Sequence, residues 1–384
     1  MTEKRNKDRN VPTLRFPGFD DEWVNITLGE LCDKIGDGLH GTPSYKENTG
    51  YYFINGNNLV NGNIVIAEST KEVLQDDYLK NNKKLNFNSV LISINGTIGN
   101  IARYNGESVM LGKSVAYLTF KSNREFYYHL ISSNRIQNYF TSELTGSTIK
   151  NLSLKTIRDA IVYIPSIGEQ EKISKFLTLI DDRIATQIKI IEELKLLKST
   201  LCDQLLEAHK GLLFKISDIA NIGRGRVISS REISNQKNPL YPVYSSQTSN
   251  NGIMGYLDEF DFEGEYITWT TDGANAGTVF HRNGKFNCTN VCGVLKIKDT
   301  KLFNPGFVAL ALQRQTKKYV STNLANPKLM NNVMSGITLN LPQIEIQNKI
   351  SKLNQGIDAK IMNELKLMTN LLIQKKYLLD KLFK

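Results

Sequence analysis

No apolar run in this 384-residue sequence approaches the roughly 18 residues that a membrane span requires. The opening stretch, Met1 to Asn10, is charged and polar where a secretory signal would be apolar. Both absences lead to the expectation of a cytoplasmic protein without membrane contact. Cysteine is scarce: Cys32, Cys202, Cys288 and Cys292 stand scattered, with no second Cys or His pair at zinc-ligand spacing, which reads as reduced structural thiols. None of the four histidines lies beside a Ser or Cys in a nucleophile-like turn, and no two have metal spacing.

Motifs for small-molecule chemistry are equally thin. Gly36-Asp37-Gly38-Leu39-His40-Gly41 satisfies the pattern of a dinucleotide-binding turn. That turn must open a helix whose N-terminus meets the pyrophosphate, and here Thr42-Pro43-Ser44-Tyr45 continues as loop. Asn238-Pro239-Leu240-Tyr241 lacks the second proline of the amino-methyltransferase loop, and no glycine-rich AdoMet-binding turn precedes it. The phosphate-binding Gly-x-x-x-x-Gly-Lys-Ser/Thr loop is missing too. The acidic run Asp258, Glu259, Asp261, Glu263 and Glu265 alternates with apolar residues and reads as a solvated strand face. The expectation is a chain with no catalytic residue, metal or cofactor of its own.

What is present is repetition. Ile164-Pro165-Ser166-Ile167-Gly168-Glu169-Gln170-Glu171-Lys172-Ile173-Ser174-Lys175 returns as Leu341-Pro342-Gln343-Ile344-Glu345-Ile346-Gln347-Asn348-Lys349-Ile350-Ser351-Lys352, at an offset of 177. Ile180-Asp181 matches Ile357-Asp358, Ile184 matches Ile361 and Leu201 matches Leu378 at the same offset. Solenoid periods are about 20–50 residues, so this is a duplicated module rather than a repeat array. Gly99 and Gly106 match Gly277 and Gly284, and Ile26-Thr27-Leu28-Gly29-Glu30-Leu31 resembles Phe214-Lys215-Ile216-Ser217-Asp218-Ile219. Between these anchors the residues differ strongly, as expected for two readers of different targets.

The period predicts two long helices, from Gly168 to about Lys210 and from Gln343 to Lys384. In the first, ten apolar residues from Ile173 to Leu205 recur at an average step of about 3.6, with Pro165 before the helix and Gly211 after it. Gly356 is the one weak point of the second. Each stripe needs a covering partner, and the simplest arrangement pairs the two helices as an antiparallel coiled coil, against independent docking of each on its own domain. The stretches between are rich in Asn, Gly, Ser, Thr and Tyr, with short strands such as Tyr51 to Ile54, Val90 to Ile94 and Tyr266 to Trp269, each followed by a turn signal. Phe126 to Phe140 and Pro305 to Val320 read as one short helix each. The fold class is therefore α+β: a flexible N-terminal tail (1–10), a β-rich module (11–163), a helix (164–210), a second β-rich module (211–340) and a C-terminal helix (341–384).

The net charge of +10 points to an acidic partner, most often nucleic acid. Its distribution moderates the point: 11–164 is neutral, whereas 211–340 carries +5 and 341–384 carries +4.

Two variable β-rich modules, each followed by a long helix opened by Ile/Leu-Pro…Gln…Lys-Ile, resemble the DNA-specificity subunits of type I restriction-modification systems. The resemblance covers essentially the whole chain, and the segment Ile164-Pro165…Gln170…Ile173…Phe176-Leu177…Ile180-Asp181 is specific to that family and its close relatives. The second copy departs at Ile346 and Asn348, which replace Glu169 and Glu171. The resemblance implies that each module is a target-recognition domain for one half of a split, asymmetric sequence in double-stranded DNA, with the helices as a ruler between half-sites. It implies two modification (adenine methyltransferase) subunits using AdoMet, and two restriction subunits using ATP and Mg²⁺. Partner binding would fall on the repeated helix starts: Gln170, Ile173 and Leu177, then Gln347, Ile350 and Leu353.

Base readout needs directional side chains, and phosphate contacts need cations, hydroxyls and backbone amides. In the first module the polar loop His40, Thr42, Ser44, Tyr45 and Lys46 and the turn Asn55, Asn57 and Asn58 lead, followed by Lys113-Ser114 and by Lys150 and Asn151 with Thr148 and Ile149 before them. The second module offers Arg224 and Arg226 around a glycine, then Ser245, Ser246, Gln247 and Thr248, Thr270, Thr271 and Asp272, and Asn326, Pro327 and Lys328. Two rivals stand beside this reading. A single-chain enzyme fusion would need several hundred further residues and an AdoMet-binding core. A coiled-coil scaffold whose modules bind carbohydrate or protein would lack salt-dependent duplex binding.

Overall fold

A computed structural model of the chain describes residues 10–146, 150–321 and 326–384. The expected tail, but for Asn10, and the loop residues Thr148 and Ile149 lie outside the described residues. Contacts divide the chain into two units, one of residues up to 188 with 366–384, the other of 189–365. The division cuts through both long helices, not at their ends as the sequence boundaries would have it. The reason is packing: each module covers the first half of the helix that follows it and the last turns of the other helix.

In the first unit, Val24–Thr27 pairs antiparallel with Ile161–Ile164 where the chain enters and leaves the module. A four-stranded sheet runs in the order Cys32–Asp37, Val115–Phe120, Ser89–Ser93, Ile101–Arg103. Tyr52–Ile54 lies parallel to Val109–Leu111. Thr27 and Glu30 close a capping box on the short helix Leu28–Leu31, which aligns the first strand with the sheet. The single helix expected over Phe126 to Phe140 is two, Arg124–Ser132 and Asn134–Ser142. Ser133 breaks it: its backbone is extended, and its hydroxyl donates to the Leu130 carbonyl that the next turn would have used.

The second unit repeats the plan. Leu212–Lys215 pairs with Thr338–Leu341, and four strands follow the matching order Ala220–Arg224, Cys292–Ile297, Phe262–Thr270, Val279–Cys288. Here Val279–Cys288 runs on unbroken through Gly284 and pairs with Tyr241–Tyr244, so the sheet has six strands. Gly284 and Gly106, matched in sequence, both hold φ near +100°, a conformation that a side chain would strain. The acidic run is a strand face only from Phe262 onward; Asp258, Glu259 and Asp261 precede the strand. Pro305–Gln315 is helical, and Thr316–Tyr319 continues as a 3-10 turn.

The long helices span Ile167–Ala208 and Ile344–Leu382, and Gly356 does not interrupt the second. At ~1.5 Å per residue the first is about 60 Å long. In the first unit Ile173 and Leu177 join one core with Leu379 and Leu382 of the other helix and with Phe383 just beyond its end. In the second unit Cys202 and Ile350 do the same, with Leu205 and Leu206 packed against them. Burying each such aliphatic side chain contributes about 1.5–3 kcal/mol, which neither helix could gain alone. The pairing is antiparallel, with Lys198 facing Asp358 at 2.6 Å and Cys202 facing Asn354.

The N-terminal segment straps the first unit. The Leu14 amide donates to the Lys381 carbonyl, Arg15 clasps Glu169 through two hydrogen bonds of 2.8 Å, and Trp23 packs on Phe126 and Phe383. Among the described residues the second copy has no such strap, and it places Ile346 where the first has Glu169. With no arginine to meet, an apolar residue there packs against the core instead.

A helix–helix ion pair joins the two long helices in each unit at matched positions, Asp181 with Lys375 at 2.5 Å and Asp358 with Lys198 at 2.6 Å. Burial alone would raise the Asp181 carboxyl, but the charge of Lys375 and hydrogen bonds from Lys375 and Arg103 bring it below the usual carboxylate range. The sign is then fixed. A carboxyl whose folded pKa lies below its unfolded value stabilises the fold above about pH 4, and that contribution fades as pH falls through the folded pKa. Asp181→Asn leaves two cations facing each other at side chains 12% and 19% exposed and should cost about 3–5 kcal/mol at neutral pH. Asp358→Asn, at a carboxylate 48% exposed, should cost about 0–1 kcal/mol. Denaturant unfolding of both variants at pH 7 and pH 3 measures the contrast, which should shrink at the lower pH.

Candidate nucleic-acid interface

Loops that are far apart in sequence meet at one end of each sheet, held by the same backbone hydrogen bonds twice. In the first module Gly112 N–H donates to Ile54, Leu39 to Leu111, Ile94 to Ser114, Val115 to Gly112 and Gly38 to Val115. In the second, Thr289 donates to Tyr244, Arg226 to Cys288, Thr271 to Val291, Cys292 to Thr289 and Gly225 to Cys292. All ten bonds lie between 2.7 and 3.1 Å. Gly38 and Gly225 serve the same purpose, since a Cβ at either would collide with the carbonyls of the turn opposite, Leu111 and Gly112 or Cys288 and Thr289.

This rim gathers part of what the sequence suggests. His40 lies beside the Gly112 turn, exposed, with its Nε2 2.6 Å from Asp37. Ser114 donates to the Asn55 side chain and accepts from Gly56 N–H, so the Asn55 turn and the Lys113 turn are one assembly. Asn95 bridges to Asn151, bringing Lys150 alongside. Asn57, Lys113 and Lys150 are exposed there. The second module sets Asp272 against Lys328, with 3.5 Å between their charges, and places Arg224 near Met330. Arg226 is held by Glu232 at 2.7 Å and Asp261 at 3.1 Å; the Glu232 hydrogen bond raises the guanidinium further and draws the Glu232 carboxyl down.

Other candidates are placed differently. Thr42, Ser44, Tyr45 and Lys46 are exposed, but the loop from Ser44 to Lys46 is tied to the Glu72–Asp77 corner: Ser44 N–H donates to Asp77, Lys46 N–H to the Glu72 carbonyl, and Lys71 sits over the Tyr45 ring. Ser245 and Gln247 are tied to the turn beside them, through Ser245 N–H to Gly252 and the Gln247 amide to Ile253, with Ser246 half-buried between.

Three expected contacts are corrected outright. Asn58 is buried and its amide is spent inside the loop, accepting from Asn55 N–H and donating to Val65 and Thr70. The Thr270 hydroxyl is buried and donates to the Asn275 carbonyl, while that of Thr271 donates to Asp272. These polar side chains shape the loops from within, a role that composition does not distinguish from surface contact.

The partner-binding set is corrected as well. The Gln170 amide donates to the Pro165 carbonyl and accepts from Asn123, and Gln347 repeats this with Pro342, Leu302 and Asn304. The repeated Pro…Gln signature is thus a buried clamp that joins the helix start to its module. Ile173, Leu177 and Ile350 are core residues. Leu353 remains 44% exposed, and its positional match Phe176 is 37% exposed. Sequence reasoning passed over two rim loops, Ile94 to Thr97 and Thr289 to Val291. Asn95-Gly96 read only as a turn, and the second could have been found by carrying Lys113 forward through the 177-residue offset.

Comparison with known proteins matches residues 20–196 and 213–373 to a family model described as the type I restriction modification DNA specificity domain. One Mycoplasma pneumoniae relative, named as a type I specificity subunit N-terminus, is 49% identical over 36% of this chain and 73% of its own length. A second type I specificity subunit from that organism is 37% identical over 56% of this chain and 82% of its own length. The crystal structure of a type I restriction-modification S subunit from M. genitalium superposes with a TM-score of 0.64 at 18% identity, covering 97% of this chain and 99% of that one.

The rim makes one prediction about stability. Asn58→Ala leaves the Asn55 amide, the Val65 carbonyl and the Thr70 hydroxyl short of a partner and should cost about 1–3 kcal/mol. Asn57→Ala, one residue away and exposed, should stay within about 0.5 kcal/mol of the parent. Chemical denaturation of the full chain separates the two.

Proposed function

The chain belongs to the DNA-specificity family of type I restriction-modification systems, and from that premise we propose that it reads a bipartite, asymmetric DNA target and assembles the modification and restriction machinery around it. It is a DNA-sequence specificity subunit that works with partner subunits. The twice-built rim carries the finer reading: one backbone scaffold presents Lys113, Lys150 and Asn151 in one module and Arg224, Asn290 and Lys328 in the other. Two frames alike in backbone and unlike in side chain suit two different half-sites. Phosphate contacts, from cations such as Lys150, Arg224 and Lys328, would set register, and base edges would be read by side chains that reach into the groove.

The partners follow from the same duplication. Two modification subunits would dock on equivalent helix surfaces, each centred on an exposed apolar residue at a matched position, Phe176 and Leu353. Those subunits would hold AdoMet and methylate adenine, and two restriction subunits would use ATP and Mg²⁺. This chain supplies recognition and spacing, with catalysis left to the others and the complex working on DNA in the cytoplasm. Two stiff antiparallel helices suit a spacer that fixes the interval between half-sites, so lengthening both should lengthen the unread gap.

Two experiments test the reading. Sequencing of methylated sites in a host carrying this chain with its modification subunits should recover one bipartite methyladenine motif that disappears without the chain. Exchanging residues 212–340 should change one half of that motif only; an unchanged motif in an assembled, active complex would overturn the assignment. Phe176→Glu should weaken capture of the modification subunits about tenfold or more by titration, with duplex binding by the chain itself unaffected.

A further inference from the structure

We propose that Lys113 and Asn290 are the base-reading fingertips of the two modules, each determining one base pair in its half of the target. The inference rests on the functional reading above and names the position that carries it. The two residues are equivalent at the 177-residue offset, and each is the central, exposed residue of a tight turn, Gly112-Lys113-Ser114 and Thr289-Asn290-Val291. Both turns are braced by main-chain hydrogen bonds from several neighbouring loops. Each of the five backbone bonds that hold one turn has its counterpart in the other. The residue before each tip is buried and the residue after it half-buried. The Asn95 side chain also donates to the Lys113 carbonyl in the first module.

That bracing matters for recognition. A base-reading side chain must be held to within a fraction of an ångström, and a turn ordered before binding removes most of the entropy cost of ordering it. Gly38 and Gly225 let the neighbouring loop touch the turn backbone to backbone, so the tip projects from a double layer of chain. The two tip side chains differ in hydrogen-bonding character. The Asn290 carboxamide offers one donor face and one acceptor, the pair that matches N7 and N6 of adenine in the major groove. Lys113 offers donors only, which match O6 and N7 of guanine. The position therefore specifies an A·T pair in the half-site of the second module and a G·C pair in that of the first.

The test uses the assembled complex with its modification subunits and reads methylated sites genome-wide. Asn290→Ala should relax one A·T position in one half of the motif, with discrimination there falling about ten- to hundredfold and the other half untouched. Lys113→Ala should relax one G·C position in the opposite half. The exchanges Asn290→Lys and Lys113→Asn should move preference at those same positions towards G·C and A·T, a gain that misfolding would not produce. Variants that reproduce the parent motif at every position overturn the assignment. So does a Lys113→Ala complex that loses affinity evenly across all duplexes while its salt slope drops by about one, because that marks a phosphate contact. A parent complex that methylates no bipartite motif overturns the functional reading itself, which keeps the two failures apart.

Discussion

One carboxylate ties three parts of the first unit together. Asp181, on the first long helix, accepts from Arg103 of the module sheet and from Lys375 of the second long helix. Arg103 also binds Glu125 and lies over the Tyr128 ring, so the sheet, the module helix and both long helices meet at this point. His129 sits beside it, fully buried, with its pKa pulled down to about 3 by burial and by the cations of Arg103 and Lys375. A neutral imidazole adds no further charge to a site that already balances cations against carboxylates. Buried ion pairs add little net stability over apolar packing, yet breaking one is costly, so such a cluster specifies which surfaces meet more than how tightly they do.

The second unit keeps the helix–helix half of this arrangement and drops the rest. Asp358 still meets Lys198, but the counterpart of Arg103 is His281, which turns to Glu265, and the counterpart of His129 is Gly306. A Cβ at Gly306 would collide with Ser351, so the module helix approaches the long helix more closely there than a histidine allows. Arg314 takes over the bridging, binding Asp203 and the Ser199 carbonyl. The duplication thus retains the pairing of the two long helices while each module attaches by its own means. That is the expected outcome when the helices serve a shared geometry and the modules diverge.

Long-range architecture was legible in the sequence because it is periodic. The stripe from Ile173 to Leu205 and the offset of 177 mark both helices and the duplication, and the helix ends fall within a few residues of those read from Pro165 and Gly211. The roles of single polar residues were not legible. Gln170 and Gln347 stand in the most conspicuous motif of the chain, yet they cap their own helix starts from within. Asn58, Thr270 and Thr271 have the composition of a DNA-reading surface and are consumed by their own loops. An amide or hydroxyl carries no mark in sequence of whether its partner is a neighbouring carbonyl or a base. Only the position of the backbone decides it.

The rim shows why specificity can drift without loss of the fold. Its bracing runs almost wholly through main-chain amides and carbonyls, which every residue except proline supplies. Side chains that take part in holding the loops, such as Asn58 and Thr270, are constrained by their buried partners, because an unsatisfied group left behind costs about 1–3 kcal/mol. The tips at Lys113 and Asn290 bear no such load and can be replaced while all five backbone bonds remain. Separating support from readout in this way lets one scaffold, copied once, come to read two unrelated half-sites.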